Sequence, residues 1–194
     1  MSGQPRVLFP VFLDLKDKVV LVVGAGVVAT RKIEELSALG ARLCVVAPRV
    51  TAEIEARASA GELTLERRPF EPPDVDGAWF VLASTDDAVA QRAVADACAN
   101  ARIFCIAVDD PPNASAYGGG VVRRGPVTIS ISTSGEAPAL ARLLREVLEQ
   151  VLPDEGFVDA ARALREKWKA DQTPMGSRFG ELVQAFKERS SPKP

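Results

Sequence analysis

The sequence predicts an α/β fold built on a doubly wound parallel sheet, followed by a small α+β module and a helical C-terminal tail. One observation behind this is the apolar, β-branched run Val19-Val20-Leu21-Val22-Val23. It passes straight into Gly24-Ala25-Gly26-Val27-Val28-Ala29 and then into a helical pattern. A second is the alternation of short apolar runs with helical periods as far as Val108, at the spacing that parallel crossover connections need. A third is the change after Val108, where Asp109-Asp110-Pro111-Pro112-Asn113 and then Gly118-Gly119-Gly120 break the alternation.

Taken in order, residues 1–17 include Phe9-Pro10-Val11-Phe12-Leu13-Asp14-Leu15, a short apolar lead-in, and the first strand covers 18–23. The helix that follows carries Val27, Val28, Ile33, Leu36 and Leu39 on a helical period and stops at Gly40, a residue type suited to the position after a helix. Arg42-Leu43-Cys44-Val45-Val46 is the second strand, ending at Ala47-Pro48. Thr51 is placed to cap a helix over about 52–60, closed by Gly61. Leu63-Thr64-Leu65-Glu66 alternates like a strand, and a loop with Pro69, Pro72 and Pro73 leads to the buried strand Ala78–Ala83. Asp86 or Asp87 opens a helix to about residue 100, and Ile103–Val108 is the next strand. Beyond the break, Pro126–Thr133 alternates apolar and hydroxyl residues as a strand. Pro138 then starts an amphipathic helix through Leu140, Leu143, Leu144, Val147 and Leu148. From Asp154 the pattern is helical and charged, anchored by Phe157, Leu164, Trp168, Leu182, Val183 and Phe186. This divides the chain into a Rossmann-like nucleotide domain over 1–112, a module over 113–152 and a helical segment over 153–194.

Composition narrows the function. With 47% hydrophobic and 26% charged residues and a net charge of −2, the 194-residue chain is ordinary globular material without the basic field that nucleic acid attracts. No apolar stretch approaches the ~20 residues of a membrane span, and no signal segment opens the chain. Cys44, Cys98 and Cys105 sit in or beside apolar patterns without metal-ligand spacing. They read as buried thiols of a cytoplasmic protein, and no metal site is assigned. The chain contains no histidine, which removes histidine bases, triads and metal ligands together.

The glycine turn is where chemistry enters. Strand, Gly-x-Gly-x-x-Ala and helix in that order form a dinucleotide fingerprint. Gly24 permits the tight turn, Gly26 lets backbone approach a pyrophosphate, and Ala29 allows close helix–strand packing. Ala25, Val27 and Val28 complete the phosphate-facing turn. The end of the second strand, where an NAD-binding chain often carries an acid, holds Ala47, Pro48 and Arg49 instead. Arg49 suits either a 2′-phosphate or solvent, so the residues alone leave NAD and NADP open. Ser84, Thr85 and Asp86 follow a strand at the carboxyl edge of the sheet, where they can line the cofactor crevice, cap a helix, or both. Asp109 also ends a strand. Without histidine it is the best-placed carboxylate to accept a proton released with a hydride, although an aspartate before two prolines also starts turns. Ser132, Thr133 and Ser134 precede the Pro138 helix, with Arg123, Arg124, Arg142 and Arg145 around it. These residues suit an anionic ligand and equally suit capping and solvation.

Val11–Leu15, Gly24–Lys32, Ala83–Asp87, Ala107–Asp109 and Ser130–Arg142, in that order, resemble the precorrin-2 dehydrogenase family, the NAD-dependent module of siroheme synthase. The likeness spans about residues 7–152. It implies oxidation of precorrin-2 to sirohydrochlorin with NAD as acceptor, in a homodimer whose middle module builds the interface. Some members also insert ferrous iron, as a substrate, to give siroheme. The family's aspartate falls on Asp109, and a serine that influences activity falls on Thr133, beside Ser132. A polycarboxylate substrate gives Arg142 and its neighbours a purpose. The chain departs from the family at Ala116-Tyr117-Gly118-Gly119-Gly120, where a bulkier segment with a proline is usual. Loss of side chains there bears on the tetrapyrrole pocket, and on iron insertion more than on oxidation. Two other readings compete: a nucleotide-sensing regulatory domain, which would ordinarily keep the second-strand acid, and a chelatase with vestigial NAD binding, against which the intact fingerprint stands.

Overall fold

The computed structural model describes residues 7–152 and 155–190. The chain divides after Gly118 into two compact units.

The first unit is a five-stranded parallel sheet. Strands β1 (Val19–Ala25), β2 (Arg42–Val50), β3 (Thr64–Glu66), β4 (Phe80–Ala83) and β5 (Phe104–Ala107) lie in the order β3-β2-β1-β4-β5. All the pairings are parallel, so crossovers must return each strand over a face. Helices α1 (Val27–Ser37), α2 (Ala52–Ser59) and α3 (Ala88–Ala101) supply them. The pleat of β1 divides the core between the two faces. Val20 and Val22 pack with Ala29, Ile33 and Leu36 of α1 and Ile54 of α2. Leu21 and Val23 pack on the other face with Val94, Ala97 and Cys98 of α3. A strand buried on both faces is apolar at every position, as this one is. The doubly wound α/β reading is the fold observed.

Element ends follow local chemistry. Gly40 (φ 75°) donates to the Ser37 carbonyl past the end of α1. Thr51 caps α2 by accepting from the Ile54 amide at 3.3 Å. The cap of α3 is Asp87, whose Oδ1 accepts from the amides of Val89 (2.8 Å) and Ala90 (3.2 Å). Three expectations change here. Val27 and Val28 do not join the buried face of α1; they are exposed at its first turn, and Ala29, Thr30, Ile33 and Leu36 are buried instead. Strand β2 does not stop at Pro48 but runs to Val50, which pairs with Ala25 after a register shift that places the extra residues in β2, between Val46 and Val50. Of the cysteines, Cys98 and Cys105 are buried but Cys44 is only half-buried. The hydrogen bond with Cys105, and then burial, push the Cys98 thiol well up.

A 3-10 turn over Pro72–Val75 joins β3 to β4 and is held by Asp74. The Arg68 guanidinium donates to both carboxylate oxygens (2.6 and 2.9 Å), and the Glu71 amide donates at 2.8 Å. The Arg68 hydrogen bonds hold the Asp74 carboxyl below the usual carboxylate range. A carboxyl depressed in the fold stabilises it above the unfolded value and loses that contribution as pH falls through the folded value. Asp74→Asn is therefore expected to lower stability by about 1 kcal/mol at pH 7, at the modest end because Arg68 is partly exposed. In urea melts from pH 7 to pH 2 the difference from the parent should shrink as the parent's carboxyl is protonated. A difference independent of pH would assign the effect to packing.

The second unit opens with an antiparallel pair, β6 (Gly120–Arg124) and β7 (Val127–Ile131), against helix α4 (Pro138–Val151). The glycine run is not a loose break, because Gly120 is the first residue of β6. A Cβ on Gly119 would stand 2.1 Å from the Ile131 carbonyl oxygen, and one on Gly120 would stand 3.3 Å from the Ala141 carbonyl oxygen. These glycines permit backbone to lie against backbone. Gly119→Ala is expected to cost roughly 1–3 kcal/mol as overpacking, whereas Gly118→Ala, whose nearest contact is Ile106 Cδ1 at 3.8 Å, should be near neutral. Paired thermal melts separate the two. Arg124 closes α4 by donating to the carbonyls of Glu149 (2.8 Å) and Leu152 (3.2 Å). Beyond residue 154 the charged helical pattern is two helices, α5 (Glu155–Ala170) and α6 (Met175–Ser190), joined through Pro174. Phe157 and Phe186 meet edge to face at 5.2 Å, and the buried Trp168 donates its Nε1–H to Glu181 at 2.8 Å.

Candidate functional site: a glycine-lined cleft at the sheet edge

The carboxyl ends of β1, β2, β4 and β5 open on a cleft of about 1040 Å³. Parallel strands place their C-terminal loops on one edge, so residues far apart in sequence meet there. Gly24, Ala25, Gly26, Val27 and Val28 enter from the β1–α1 turn, and Ala47, Pro48 and Arg49 from β2. Ser84, Thr85 and Asp86 follow β4, and Asp109 follows β5. Every residue singled out for a dinucleotide, and Asp109 with them, thus lines one cleft.

The turn is built as a phosphate cradle must be. Gly24 has φ 96°, and a Cβ there would stand 2.1 Å from the Ser84 carbonyl oxygen, so only glycine lets β1 and β4 approach this closely. Gly26 differs: among the described residues a Cβ there would meet nothing within 4 Å, because the position faces the open cleft. Gly26 begins α1 with no side-chain cap, which leaves the amides of the first turn directed outward with the positive end of the helix dipole. Below it, the buried Thr30 hydroxyl donates to the Gly26 carbonyl at 3.1 Å and lies 3.1 Å from the Thr51 hydroxyl, tying the first turns of α1 and α2 together. A cradle that lacks a side chain at its mouth and offers free amides fits a pyrophosphate.

Charge in the cleft is uneven. Arg49 is the cationic side chain among the lining residues, whereas Asp86, Asp87, Asp109 and Asp110 bring carboxylates to the β4 and β5 ends. Thr85 Oγ1 accepts from the Asp87 amide at 3.2 Å and so serves the turn while it lines the cleft. Asp109 is exposed at the rim with φ 55°, a left-handed conformation uncommon for a side-chain-bearing residue. Its neighbour Asp110 is committed elsewhere, accepting from Asn113 Nδ2 at 2.6 Å. Sequence reasoning missed Gln91, a buried polar residue of α3 that also lines the cleft. The available signal was a polar residue three and seven positions before the buried Val94 and Cys98 on one helix face.

Ser132, Thr133, Ser134 and Arg142 belong to the second unit. Ser132 Oγ accepts from the Ser134 amide at 3.1 Å, and Thr133 Oγ1 from the Ala137 amide at 3.3 Å, so both hydroxyls shape the turn ahead of α4. Ser134 (φ 54°) and Gly135 (φ 82°) reverse the chain there. Arg142 donates to Glu146 at 2.9 Å and Arg145 to Glu149 at 2.6 Å along the exposed face of α4.

Known proteins share this combination. Residues 11–120 match the family described as putative NAD(P)-binding, and residues 124–150 match the central segment of sirohaem biosynthesis proteins. A siroheme synthase of Photorhabdus laumondii is 39% identical over 93% of this chain and 39% of its own length. Siroheme synthase 3 of Aeromonas hydrophila is 42% identical over 87% of the chain and 36% of its own length. The chain thus spans less than two-fifths of these relatives. Among solved structures, SirC, a precorrin-2 dehydrogenase, superposes with a TM-score of 0.70 over 93% of this chain and all of that one, at 24% identity, and shares the fold. With residues 11–120 matched across the cleft, the chain belongs to the family described as putative NAD(P)-binding.

Proposed function

We propose that the chain oxidises precorrin-2 to sirohydrochlorin, with NAD⁺ taking up the hydride and Asp109 accepting the accompanying proton. The observation that carries this reading is the glycine-built cleft with Asp109 at its rim, in a chain without histidine. The names of similar proteins, siroheme synthase and precorrin-2 dehydrogenase, support this choice of substrate. In this reading Gly24 and Gly26 shape the turn, the first amides of α1 hold the pyrophosphate, and Ala47 and Pro48 flank the adenosine side without an acid. Ser132, Thr133, Ser134 and Arg142 are assigned to the substrate's carboxylates, which an N-terminal turn and a guanidinium suit. The protein works in the cytoplasm as a homodimer. Support for the dimer comes from α4, where Leu140, Leu143, Leu144, Val147 and Val151 are all exposed on the single chain.

The test is anaerobic incubation of the purified protein with precorrin-2 and NAD⁺, following NADH and sirohydrochlorin absorbance together. Equal rises in the two establish the reaction. Ferrous iron, added afterwards as a second substrate, tests insertion against a no-enzyme control. Binding of NAD⁺ without NADH formation would overturn the reading in favour of a nucleotide-sensing domain.

A further inference from the structure

The deepest polar group in the cleft wall is Gln91, on α3 one turn beyond the capping Asp87. Only 3% of it is exposed, and its backbone amide donates to the Asp87 carbonyl at 2.8 Å. Its side-chain Nε2 donates to the carbonyl oxygen of Val108 at 3.3 Å, across from helix to strand end. The other side-chain atom, Oε1, is sealed from solvent and has no hydrogen-bond partner among the described residues. An unpaired buried acceptor is a net loss to stability, which an apolar side chain of the same size would avoid. On stability alone, then, this is a poor place for an amide. The contact it makes falls on the peptide joining Val108 to Asp109, the residue held at φ 55°. The amide of Val108 is itself fixed by the Ala83 carbonyl at 2.9 Å. Gln91 therefore completes the anchorage of Val108, with β4 holding its backbone N–H and α3 its carbonyl. Strained backbone persists where its surroundings over-determine it.

We propose that Gln91 is the positioning residue of Asp109: its amide N–H fixes the Val108 carbonyl and so holds the Asp109 carboxylate at the rim of the cleft. The inference rests on the role given to Asp109 above. Because Gln91 is on the helix whose first turn and cap also line the cleft, the same element that faces the cofactor sets the aspartate.

Gln91→Met removes the donor at nearly constant volume, and Gln91→Glu keeps the shape while replacing the donor by an oxygen, so a folding failure of one leaves the other. Each is expected to lower kcat for precorrin-2 oxidation by about tenfold, well within what a misplaced catalytic group costs. The Kd for NAD⁺ by calorimetry should stay within about twofold, since Gln91 lines the cleft with only 3% of its surface exposed. The deciding measurement repeats the substitution in an Asp109→Asn background, where no further loss is expected because Gln91 acts through the carboxylate. A tenfold loss persisting in that background would overturn the proposal and leave Gln91 a structural residue. Hydrogen exchange gives a readout free of turnover. The peptide over 105–113 should exchange faster in Gln91→Met while the β1 and β2 peptides are unchanged. If the parent protein does not oxidise precorrin-2, the functional reading fails, yet the exchange still decides: unchanged protection at 105–113 overturns the positioning role.

Discussion

Asp109→Asn is expected to lower precorrin-2 turnover by about 10²–10⁴-fold, the usual share of a general base, while leaving the Kd for NAD⁺ unchanged. Asparagine is the informative replacement because of the backbone. At φ 55° the residue occupies the left-handed region, which asparagine tolerates at least as well as aspartate. Asp109→Ala adds a conformational cost of roughly 1–2 kcal/mol and would mix folding with chemistry. No histidine can substitute as base, and Asp110 is held by Asn113. A loss confined to kcat, with NAD⁺ binding intact by calorimetry, places the carboxylate in the chemical step. An unchanged rate in Asp109→Asn would remove it from the mechanism.

How much of this was legible in the sequence depends on the scale of the interaction. Runs such as Val19–Val23 announce a strand buried on both faces, because burial on both sides demands apolar residues without alternation. Gly24 and Gly26 were legible as a pair, since strand, turn and helix are local. What the sequence hid is that they are unlike: one is required by the Ser84 carbonyl, sixty positions on, and the other faces open space. Strand β6 escaped notice because glycine has poor strand propensity. What makes Gly119 and Gly120 necessary is the approach of Ile131 and Ala141, long-range contacts that no local pattern carries. Val27 and Val28 followed the helical period yet are exposed, because the first turn of α1 lies at the cleft and not on the sheet. At Asp87 the capping chemistry was readable, but the choice between adjacent aspartates depended on where β4 releases the chain. Ser132 and Thr133 were visible as hydroxyls before a helix, and only their hydrogen bonds show that they shape the turn.

The contrast between the two glycines makes the second large prediction. Gly24→Ala puts a Cβ 2.1 Å from a backbone oxygen at φ 96°, so neither rotation nor a flexible neighbour can relieve it. Overpacking of roughly 1–3 kcal/mol and the left-handed penalty of roughly 1–2 kcal/mol add, against a total stability of about 5–15 kcal/mol. A fall in thermal midpoint on the order of 10 °C is expected for a chain of this size. Gly26→Ala should leave the midpoint unchanged, because its Cβ meets no atom of the described residues within 4 Å and its φ of −81° suits any residue. It should nevertheless raise the Kd for NAD⁺ by about 10–100-fold, since a methyl then fills the place the proposed function gives to the pyrophosphate at the amides of α1. Calorimetric binding and thermal melts on both variants decide the matter. Loss of binding without loss of stability in Gly26→Ala locates the cofactor on the turn. Intact NAD⁺ affinity in that variant would mean that the cleft takes the dinucleotide in another orientation, or takes a different ligand.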